Sequence, residues 1–400
     1  MIPKNLLKNL KPPQKFQKYV NLFKKRDSLS LNFKKTSLFN TFSIPKLLSP
    51  SLFKEHIKSS FFKQKSSSNI SLSYQNTPFN ETVINSFIED RKFNPTMYLK
   101  HPLSQSVYNV LTFEKYDVKY RREYVRMNDG GQVSLDWVEP EVVREKKVLF
   151  VVHGLTGGSE MPYIQSLVSE ARRNGVVSVV FHNRGINGTK LLTPEPFHGV
   201  KLDDIHYAVN HVKNSKKDYE LYGIGLSLGG NLIMRYAAEK GNDVEFKGIV
   251  AIATPFDLVK CLENLTFVYE KFFIKRYIKQ TVIPNMDMLK KLEETHGVDF
   301  QKVMKAKSLK EFHENLTIKV FGYKTAEEYF SLAKITNNHI KNIKVPTLLL
   351  HSKDDPITTI KCVPLEDLMK NENIIYVETK NGGHVCWFYN NKPERVCFFF

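Results

Sequence analysis

Short runs of apolar residues recur from residue 148 onwards, and each run ends at a glycine or a polar residue. The clearest runs are Val148–Val152, Val176–Phe181, Glu220–Ile224, Gly248–Ala253, Pro346–Leu350 and Ile374–Val377. The segments between the first four runs predict helices over Tyr163–Arg173, Asp203–Val212 and Asn231–Glu239. Strands that are apolar on both faces and alternate with helices are typical of a mostly parallel sheet covered on both sides. The pattern therefore predicts an α/β fold.

The alternation of strands and helices stops between about residues 258 and 342. This stretch is mainly helical in pattern and rich in Phe, Tyr, Lys and Leu. Because it lies between two predicted core strands, we expect a helical cap insertion over a pocket. Clustered aromatic residues predict an apolar wall for that pocket, and they are Phe267, Tyr269, Phe272, Phe273 and Tyr277.

The positive charge of the chain is concentrated at its N-terminal end. The sequence has 59 basic and 41 acidic residues, a net charge of +18. Residues 1–70 hold fourteen Lys and one Arg against two acids, a net charge of +13, which leaves +5 for the rest. A nucleic-acid-binding protein would carry a basic face on its folded body, so nucleic acid is not expected as a partner. We predict a basic, disordered or targeting extension over residues 1–75 and one domain over residues 76–400.

One part of this extension has helical periodicity. Phe16, Tyr19, Val20 and Phe23 are spaced i, i+3, i+4, i+7, and lysines occupy other positions of the same stretch. Such a helix fits peripheral contact with an anionic membrane or a mitochondrial import signal, and a solvated tail is the third interpretation. No apolar run reaches about 18 residues, so no transmembrane helix is predicted. Four scattered cysteines are typical of a reducing compartment, which predicts an intracellular protein.

The strongest chemical signal is the G-x-S-x-G sequence from Gly225 to Gly229, directly after a predicted strand and before a predicted helix. A tight strand-to-helix turn projects the serine hydroxyl from a strained backbone, and small neighbours are needed where the two backbones crowd. The sequence therefore predicts Ser227 as a nucleophile. A glycine-rich turn with a bystander serine is the alternative interpretation.

A serine nucleophile needs a base, and the base needs a carboxylate to orient it. His384 follows two glycines after the last predicted strand, and we predict it as the base. Asp354 and Asp355 both follow the strand that ends at Leu350. We assign the acid to Asp355, because Pro356-Ile357 is the usual continuation of an acid loop, and interpret Asp354 as a turn former. The exchanged assignment is the alternative.

A glycine-rich loop, His153 to Ser159, follows an early predicted strand. Its backbone N–H groups can face the oxyanion of a tetrahedral intermediate, together with the N–H of the residue after the nucleophile. We predict Leu155 and Leu228 as the two donors, and His153 as a residue that holds the loop. Arg184, in the loop after the next strand, is assigned to a structural salt bridge in preference to an anionic head group. No cluster has metal-ligand spacing and no loop has a P-loop ending, so neither a metal nor a cofactor is predicted.

Together these residues resemble one branch of the α/β-hydrolases. That branch contains bacterial YheT-like hydrolases, yeast medium-chain fatty-acid ethyl ester synthase/esterases and animal membrane-associated phospholipase relatives. The likeness runs from about Pro78 to the C-terminus, through Phe93-Asn94-Pro95-Thr96, His153 to Ser159, Asn183-Arg184-Gly185, Gly225 to Gly230, Ser308 to Phe312, Gly322 to Tyr329, Asp354-Asp355-Pro356 and Gly382-Gly383-His384. It implies the α/β-hydrolase fold, a mostly parallel central sheet flanked by helices, with a helical cap insertion and a triad of Ser227, Asp355 and His384.

The resemblance also implies a substrate class. We expect a serine hydrolase that cleaves carboxylic esters, with medium-chain acyl esters or glycerolipids as its small-molecule substrates. Acyl transfer to an alcohol at the same site is one alternative hypothesis. A non-catalytic binding protein on this fold is the other.

Overall fold

In a computed structural model of the protein, six parallel strands form the centre of the sheet. The structure describes residues 62–66, 69–88, 93, 95, 96, 99, 101, 105, 108, 116–389 and 394–395. These six are β5 (Lys147–Val152), β6 (Val177–His182), β7 (Glu220–Leu226), β8 (Phe246–Ile252), β9 (Thr347–Ser352) and β10 (Ile374–Thr379). They lie in the order β10-β9-β8-β7-β5-β6 and match the six predicted apolar runs to within two residues. The mostly parallel α/β sheet predicted from the sequence is confirmed.

Four antiparallel strands extend this sheet at its two ends. They are β1 (Phe62–Ser66), β2 (Ile70–Gln75), β3 (Arg121–Arg126) and β4 (Gln132–Val138). β2 pairs with β10, and β4 pairs with β6. Because β1 and β2 precede residue 76, the sheet begins earlier than the predicted domain boundary. Two further strands, β11 (Phe388–Tyr389) and β12 (Glu394–Arg395), form a separate ribbon.

Helices cover both faces of the sheet. Among the described residues, the α-helices outside the region between β8 and β9 are α1 (Pro78–Val83), α2 (Pro162–Arg173), α3 (Asp203–Ser215), α4 (Leu228–Lys240) and α14 (Leu365–Leu368). Alternate residues of β5 show the two layers, because Phe150 packs in a cluster with residues of α3 and α4 whereas Val151 packs in a cluster with residues of α2. The predicted extension up to residue 61, including the periodic face from Phe16 to Phe23, lies outside the described residues.

The chain between β8 and β9 is helical, and we call residues 258–342 the β8–β9 segment. Its α-helices are α5 (Leu258–Glu263), α6 (Phe267–Tyr277), α7 (Met286–Leu289), α8 (Lys291–His296), α9 (Phe300–Lys305), α10 (Leu309–Asn315), α11 (Thr317–Phe321), α12 (Ala326–Leu332) and α13 (Asn337–Asn342). A π-helical turn, Ile278–Val282, and a 3₁₀ turn, Ile283–Asn285, continue α6. Most of the α-helices are shorter than two turns, so tertiary packing holds them in place.

The aromatic residues of the β8–β9 segment do not all face one pocket. Tyr277 is buried against Phe312, with ring centroids 5.2 Å apart. Phe267 and Phe272, however, are 60% and 42% exposed. The prediction that five aromatic residues form one apolar wall is therefore wrong for these two. None of the described helices has the length and apolarity needed to cross a bilayer.

Candidate active site

Ser227 lies between β7 and α4, at the carboxyl edge of the parallel strands. Its backbone has φ 55° and ψ −122°, a conformation that L-residues avoid. Backbone hydrogen bonds hold it on both sides: the Ser227 N–H donates to the Ile252 carbonyl at 2.8 Å, and the Ser227 carbonyl accepts from the Gly230 N–H at 2.8 Å. The predicted strained turn is present, and it projects the hydroxyl from the end of the strand.

The glycines on either side of Ser227 are required by close backbone approach. A Cβ atom on Gly225 would overlap the Gly229 carbonyl, and one on Gly229 would overlap the Val152 carbonyl. The backbones of β7, α4 and the end of β5 therefore approach so closely that only the hydrogen atoms of glycine fit between them. The prediction that small residues are needed here is confirmed.

The three predicted triad residues, distant in sequence, form one hydrogen-bonded chain. The Ser227 Oγ lies 2.9 Å from the His384 Nε2, and the His384 Nδ1 lies 2.9 Å from the Asp355 Oδ2. Because an ionised carboxylate only accepts hydrogen bonds, Nδ1–H donates to Asp355 and Nε2 is left to accept from the serine hydroxyl. This is the arrangement in which a histidine can remove the serine proton.

The Asp355 carboxylate is buried and fully hydrogen bonded. Its Oδ1 accepts from the N–H groups of Ile357 and Thr358, both at 2.8 Å, and its Oδ2 accepts from the Thr358 hydroxyl at 2.6 Å. Burial acts to raise the pKa of the Asp355 carboxyl, but the charge and hydrogen bond of His384 outweigh it and hold the pKa below its usual value. Asp355 is therefore the carboxylate oriented toward the histidine.

Asp354 binds the loop that carries the histidine and not the imidazole itself. Its Oδ1 accepts from the Gly383 N–H at 2.9 Å, and its Oδ2 accepts from the Asn381 side chain at 3.3 Å. The Ser352 hydroxyl donates to the Gly383 carbonyl at 2.6 Å, so both sides of this glycine are held. Sequence reasoning treated Asp354 as a turn former and missed this contact across 29 residues.

The predicted oxyanion donors are Leu155, in the glycine-rich loop after β5, and Leu228, which directly follows Ser227. A Cβ atom on Gly154 would lie 3.0 Å from the Ser227 Cβ and 3.5 Å from its Oγ, so Gly154, the residue before Leu155, lies beside the serine side chain. Leu228 is the first residue of α4, where N–H groups have no acceptor inside the helix. Neither the Leu155 nor the Leu228 N–H donates a hydrogen bond to another of the described residues.

The orientation of the Leu155 N–H is fixed through the carbonyl of the same peptide. The Gly154 carbonyl accepts from the His153 Nδ1 at 2.8 Å and from the Gly157 N–H at 2.9 Å. Because C=O and N–H of one trans peptide point in opposite directions, holding the Gly154 oxygen aims the Leu155 N–H away from His153. Burial lowers the pKa of His153 to about 3, so its imidazole is neutral and donates from Nδ1. His153 therefore holds the loop through its hydrogen bond to the Gly154 carbonyl, in line with its predicted role.

A buried ion pair anchors the far end of the same loop. The Asp136 carboxylate accepts from Arg122 Nε and Nη2, both at 2.7 Å, from His182 Nε2 at 3.0 Å and from the Ser159 hydroxyl at 2.5 Å. Burial acts to raise the pKa of Asp136, but these hydrogen bonds hold it well below its usual value. The His182 ring lies 5.3 Å from the His153 ring. Nothing in the sequence motifs pointed to Asp136 or His182.

Two arginines near the site make structural contacts. Arg184 forms salt bridges with Asp204 at 2.6 Å and Asp129 at 2.8 Å, which confirms its predicted role. Arg276 of α6 donates from Nε to the Thr156 carbonyl at 2.7 Å, next to Leu155. Within the described ranges, no group of three or more His, Cys, Asp or Glu side chains is arranged to hold a metal ion.

Comparison with known proteins places the chain in a protein family. Residues 144–370 match the family described as serine aminopeptidase, S33. The chain belongs to this family of the α/β-hydrolase superfamily. The hydrolase is 27% identical over 316 residues to "Phospholipase ABHD3" of Mus musculus, covering 76% of this chain and 75% of that protein. It is 30% identical to "Monoacylglycerol lipase" of Saccharomyces cerevisiae, covering 74% of this chain and 63% of that protein.

Among solved structures, the chain is matched to the Pyrococcus furiosus esterase Pf2001. It is 16% identical to this hydrolase and covers 68% of this chain and 86% of that one, with a TM-score of 0.45. The superfamily membership predicted from the sequence motifs is confirmed by the family match and the relatives.

Proposed function

We propose that this hydrolase cleaves carboxylic esters with medium-chain acyl or glycerolipid character, using Ser227 as nucleophile, His384 as general base and Asp355 as the orienting acid. The observation that carries the proposal is the continuous hydrogen-bonded chain Ser227 Oγ–His384 Nε2–Asp355 Oδ2, with 2.9 Å at each step. It is supported by relatives that bear the names phospholipase and monoacylglycerol lipase.

Acylation of the enzyme begins at the serine hydroxyl. As the Ser227 Oγ attacks the ester carbonyl carbon, its proton passes to the His384 Nε2, and Asp355 stabilises the resulting imidazolium. The carbonyl oxygen becomes an oxyanion, which the N–H groups of Leu155 and Leu228 stabilise. The imidazolium then protonates the alcohol oxygen, the C–O bond breaks, and an acyl-Ser227 ester remains.

Deacylation repeats these steps with water as the nucleophile. His384 removes a proton from the water as it attacks the acyl carbonyl, and the same two N–H groups face the second oxyanion. Collapse returns the proton to the Ser227 Oγ and releases the carboxylic acid. No group beyond the triad, the two backbone N–H donors and water is required.

The apolar packing beside this site indicates where the acyl chain of the substrate would bind. Leu155 packs against the apolar cluster that contains Tyr277 and Phe312 of the β8–β9 segment. We propose that this segment acts as a cap and that its inward-facing apolar side chains receive the acyl chain. Each methylene removed from water contributes about 0.8 kcal/mol, so a medium-length chain should bind better than acetate.

A series of p-nitrophenyl esters from acetate to decanoate, with glycerolipids in parallel, tests this proposal. We expect kcat/KM to rise from acetate to the medium-chain esters and a fluorophosphonate probe to label the wild-type protein. A flat or falling series would contradict the acyl specificity. Absence of both labelling and ester hydrolysis would instead favour a non-catalytic binding protein.

The basic extension is proposed to direct or attach the enzyme without taking part in catalysis. The support is the charge that precedes β1: residues 1–61 hold twelve Lys and one Arg against two acids, a net charge of +11. A membrane-surface segment should stay on the mature protein and release with salt, whereas a mitochondrial presequence should be missing from the mature N-terminus. Sequencing the mature N-terminus after cell fractionation separates these two versions.

A further inference from the structure

The continuous helical stretch from α6 to the end of the 3₁₀ turn, residues 267–285, exposes large apolar side chains. Phe267 is 60% exposed, Val268 70%, Phe272 42% and Ile283 54%. The opposite side of the stretch is buried through Ile274, Tyr277, Ile278 and Val282. Packing against the other described residues therefore does not account for the exposed aromatic and aliphatic groups.

These exposed groups lie on one face of the helix, interleaved with lysines. Val268, Phe272, Lys275, Lys279 and Ile283 are all exposed and are spaced i, i+4, i+7, i+11, i+15. At about 1.5 Å per residue the row is roughly 22 Å long. Phe267 and Lys271 flank it, with the Lys271 Nζ 5.4 Å from the centre of the Phe267 ring. We call these seven residues the α6 stripe.

The charge of the α6 stripe has a single sign. Every exposed residue of the stretch 267–285 is apolar, Lys or Pro284. Of the nearest acids in sequence, Glu270 accepts a hydrogen bond from the Leu309 N–H at 3.3 Å, and Asp287 is exposed four residues after Ile283, past the end of the stretch. Among the residues that the structure describes, none of the three lysines on the stripe forms a salt bridge with a carboxylate.

This combination selects one kind of partner. A second copy of the chain in a two-fold interface would bring lysines against lysines, which is unfavourable. A nucleic acid would satisfy the lysines but leave the four apolar side chains in water. An anionic lipid surface accepts both, because apolar groups enter the boundary between head groups and acyl chains while lysines remain at the phosphates.

The α6 stripe is also tied to the candidate active site. On another side of the same helix, Arg276 donates to the Thr156 carbonyl at 2.7 Å and pairs with Glu160 at 2.9 Å. Thr156 directly follows Leu155, the proposed oxyanion donor. A bilayer against the stripe would therefore lie on the element that is hydrogen bonded to the loop beside Ser227.

We propose that the α6 stripe is the surface by which this hydrolase docks on anionic phospholipid bilayers. The docking itself does not depend on catalysis, whereas its consequence, delivery of membrane esters to Ser227, rests on the proposed function. The basic extension also attracts anionic vesicles, so the decisive measurement has to report on the stripe and not on total binding.

A tryptophan placed in the stripe provides that measurement. The native Trp137 and Trp387 are buried, at 1% and 4% exposure, so Phe272→Trp in the full chain adds one solvent-facing indole. We expect its emission to shift to the blue, and to be quenched by brominated lipid, on vesicles of phosphatidylcholine with 30% phosphatidylglycerol. The matched control is Val142→Trp, at a position that is 69% exposed on a loop outside the stripe, and it should show neither change. Unchanged emission of Phe272→Trp with vesicle-bound protein would overturn the proposal.

A second variant connects docking to turnover. Phe267→Ser/Val268→Ser/Phe272→Ser should lower activity on a vesicle-embedded ester at least about tenfold. It should leave kcat/KM on a soluble short-chain ester near wild type, which also shows that the variant is folded. Equal activity of this variant and wild type on vesicles would overturn the proposal.

Ser227→Ala separates the docking proposal from the proposed function, since it should lose all turnover and keep vesicle binding. Turnover retained by Ser227→Ala would reject the proposed function and leave the docking result to stand alone.

Discussion

The strand-end loops of the candidate active site and the β8–β9 segment hold their side chains in different ways. In the loops, backbone groups do the holding: Asp355 accepts from two N–H groups, and Gly383 is bound at both its N–H and its carbonyl. In the β8–β9 segment, aromatic rings pack against one another, such as Tyr277 with Phe312 and His313 with Phe330. Hydrogen bonds are directional and fix atoms closely, whereas apolar contacts tolerate changes of shape.

Because of this difference, we expect the loops and the β8–β9 segment to have different functions. Bond-making chemistry needs donors and acceptors held within tenths of an ångström, and the loops at the carboxyl edge of the sheet supply that. Binding an acyl chain or a lipid surface depends on buried apolar area more than on directional hydrogen bonds. The β8–β9 segment provides such apolar area, inward through Tyr277 and outward through the α6 stripe. Substitutions in the loops should therefore affect kcat, and substitutions in the segment should affect substrate choice or stability.

The largest effect is expected from removing the serine hydroxyl. Ser227→Ala should lower kcat on soluble esters by about 10⁴-fold or more, because a triad loses its catalytic advantage when its nucleophile is absent. Steady-state kinetics and fluorophosphonate labelling measure it, with a thermal melt to show that the variant is folded. Turnover within tenfold of wild type by a folded variant would remove Ser227 from the mechanism.

The two neighbouring aspartates should differ by orders of magnitude. Asp355→Asn removes the charge that stabilises the His384 imidazolium and should cost about 10⁴-fold in kcat. Asp354→Asn keeps an acceptor for the Gly383 N–H and should cost about tenfold or less. Parallel kinetics on the two variants is the test. The opposite ranking would show that Asp354 is the orienting acid.

The hydrogen-bonded chain of Ser227, His384 and Asp355 could be predicted from the sequence because each of the three residues follows a buried strand. Apolar runs located β7, β9 and β10, and the carboxyl ends of parallel strands meet at one edge of a sheet. The strained turn at Ser227 also leaves a local signature, since Gly225 and Gly229 are required by close backbone contact. Local rules were therefore sufficient for this part of the molecule.

Other features depend on contacts that have no local signature. β1 and β2 are short and lie in a serine- and lysine-rich region, and they join the central sheet only through the pairing of β2 with β10. The thiols of Cys261 and Cys362, 101 residues apart, lie 3.9 Å from each other. The exposed positions of Phe267 and Phe272 follow from which face of α6 packs inward. Only the assembled structure determines these contacts.

A smaller effect is expected at the loop beside the oxyanion site. His153→Ala removes the donor that holds the Gly154 carbonyl, so the Leu155 N–H should lose its fixed direction and kcat should fall about 10- to 100-fold with KM nearly unchanged. His153→Asn keeps a side-chain N–H close to the position of Nδ1 and should recover most of the loss. Equal activities for Ala and Asn, or a loss confined to KM, would show that His153 does not position this peptide.

The smallest effect concerns acid stability in the β8–β9 segment. Burial lowers the pKa of His313 to about 3, and the nearby His198 adds to the shift. An unfolded histidine titrates near 6.5, so as the pH falls below that value the unfolded chain binds a proton that the folded chain does not accept. The contribution of His313 to stability is therefore complete above pH 6.5 and is lost progressively toward pH 3. At pH 5 the loss is about 2 kcal/mol in the free energy of unfolding.

Replacing this histidine should flatten the pH dependence. His313→Asn removes the titrating ring and keeps a polar group near the Thr317 hydroxyl, which lies 2.8 Å from the His313 Nδ1. Urea unfolding at pH 7, 6 and 5 should show a smaller decrease for this variant than for wild type, whatever its stability at pH 7. His296→Asn, at an exposed position of α8, is the matched control and should keep the wild-type slope. If wild type and His313→Asn lose stability in parallel, the acid sensitivity must come from other buried groups, among them His153 of the loop beside Ser227, whose pKa burial also lowers to about 3.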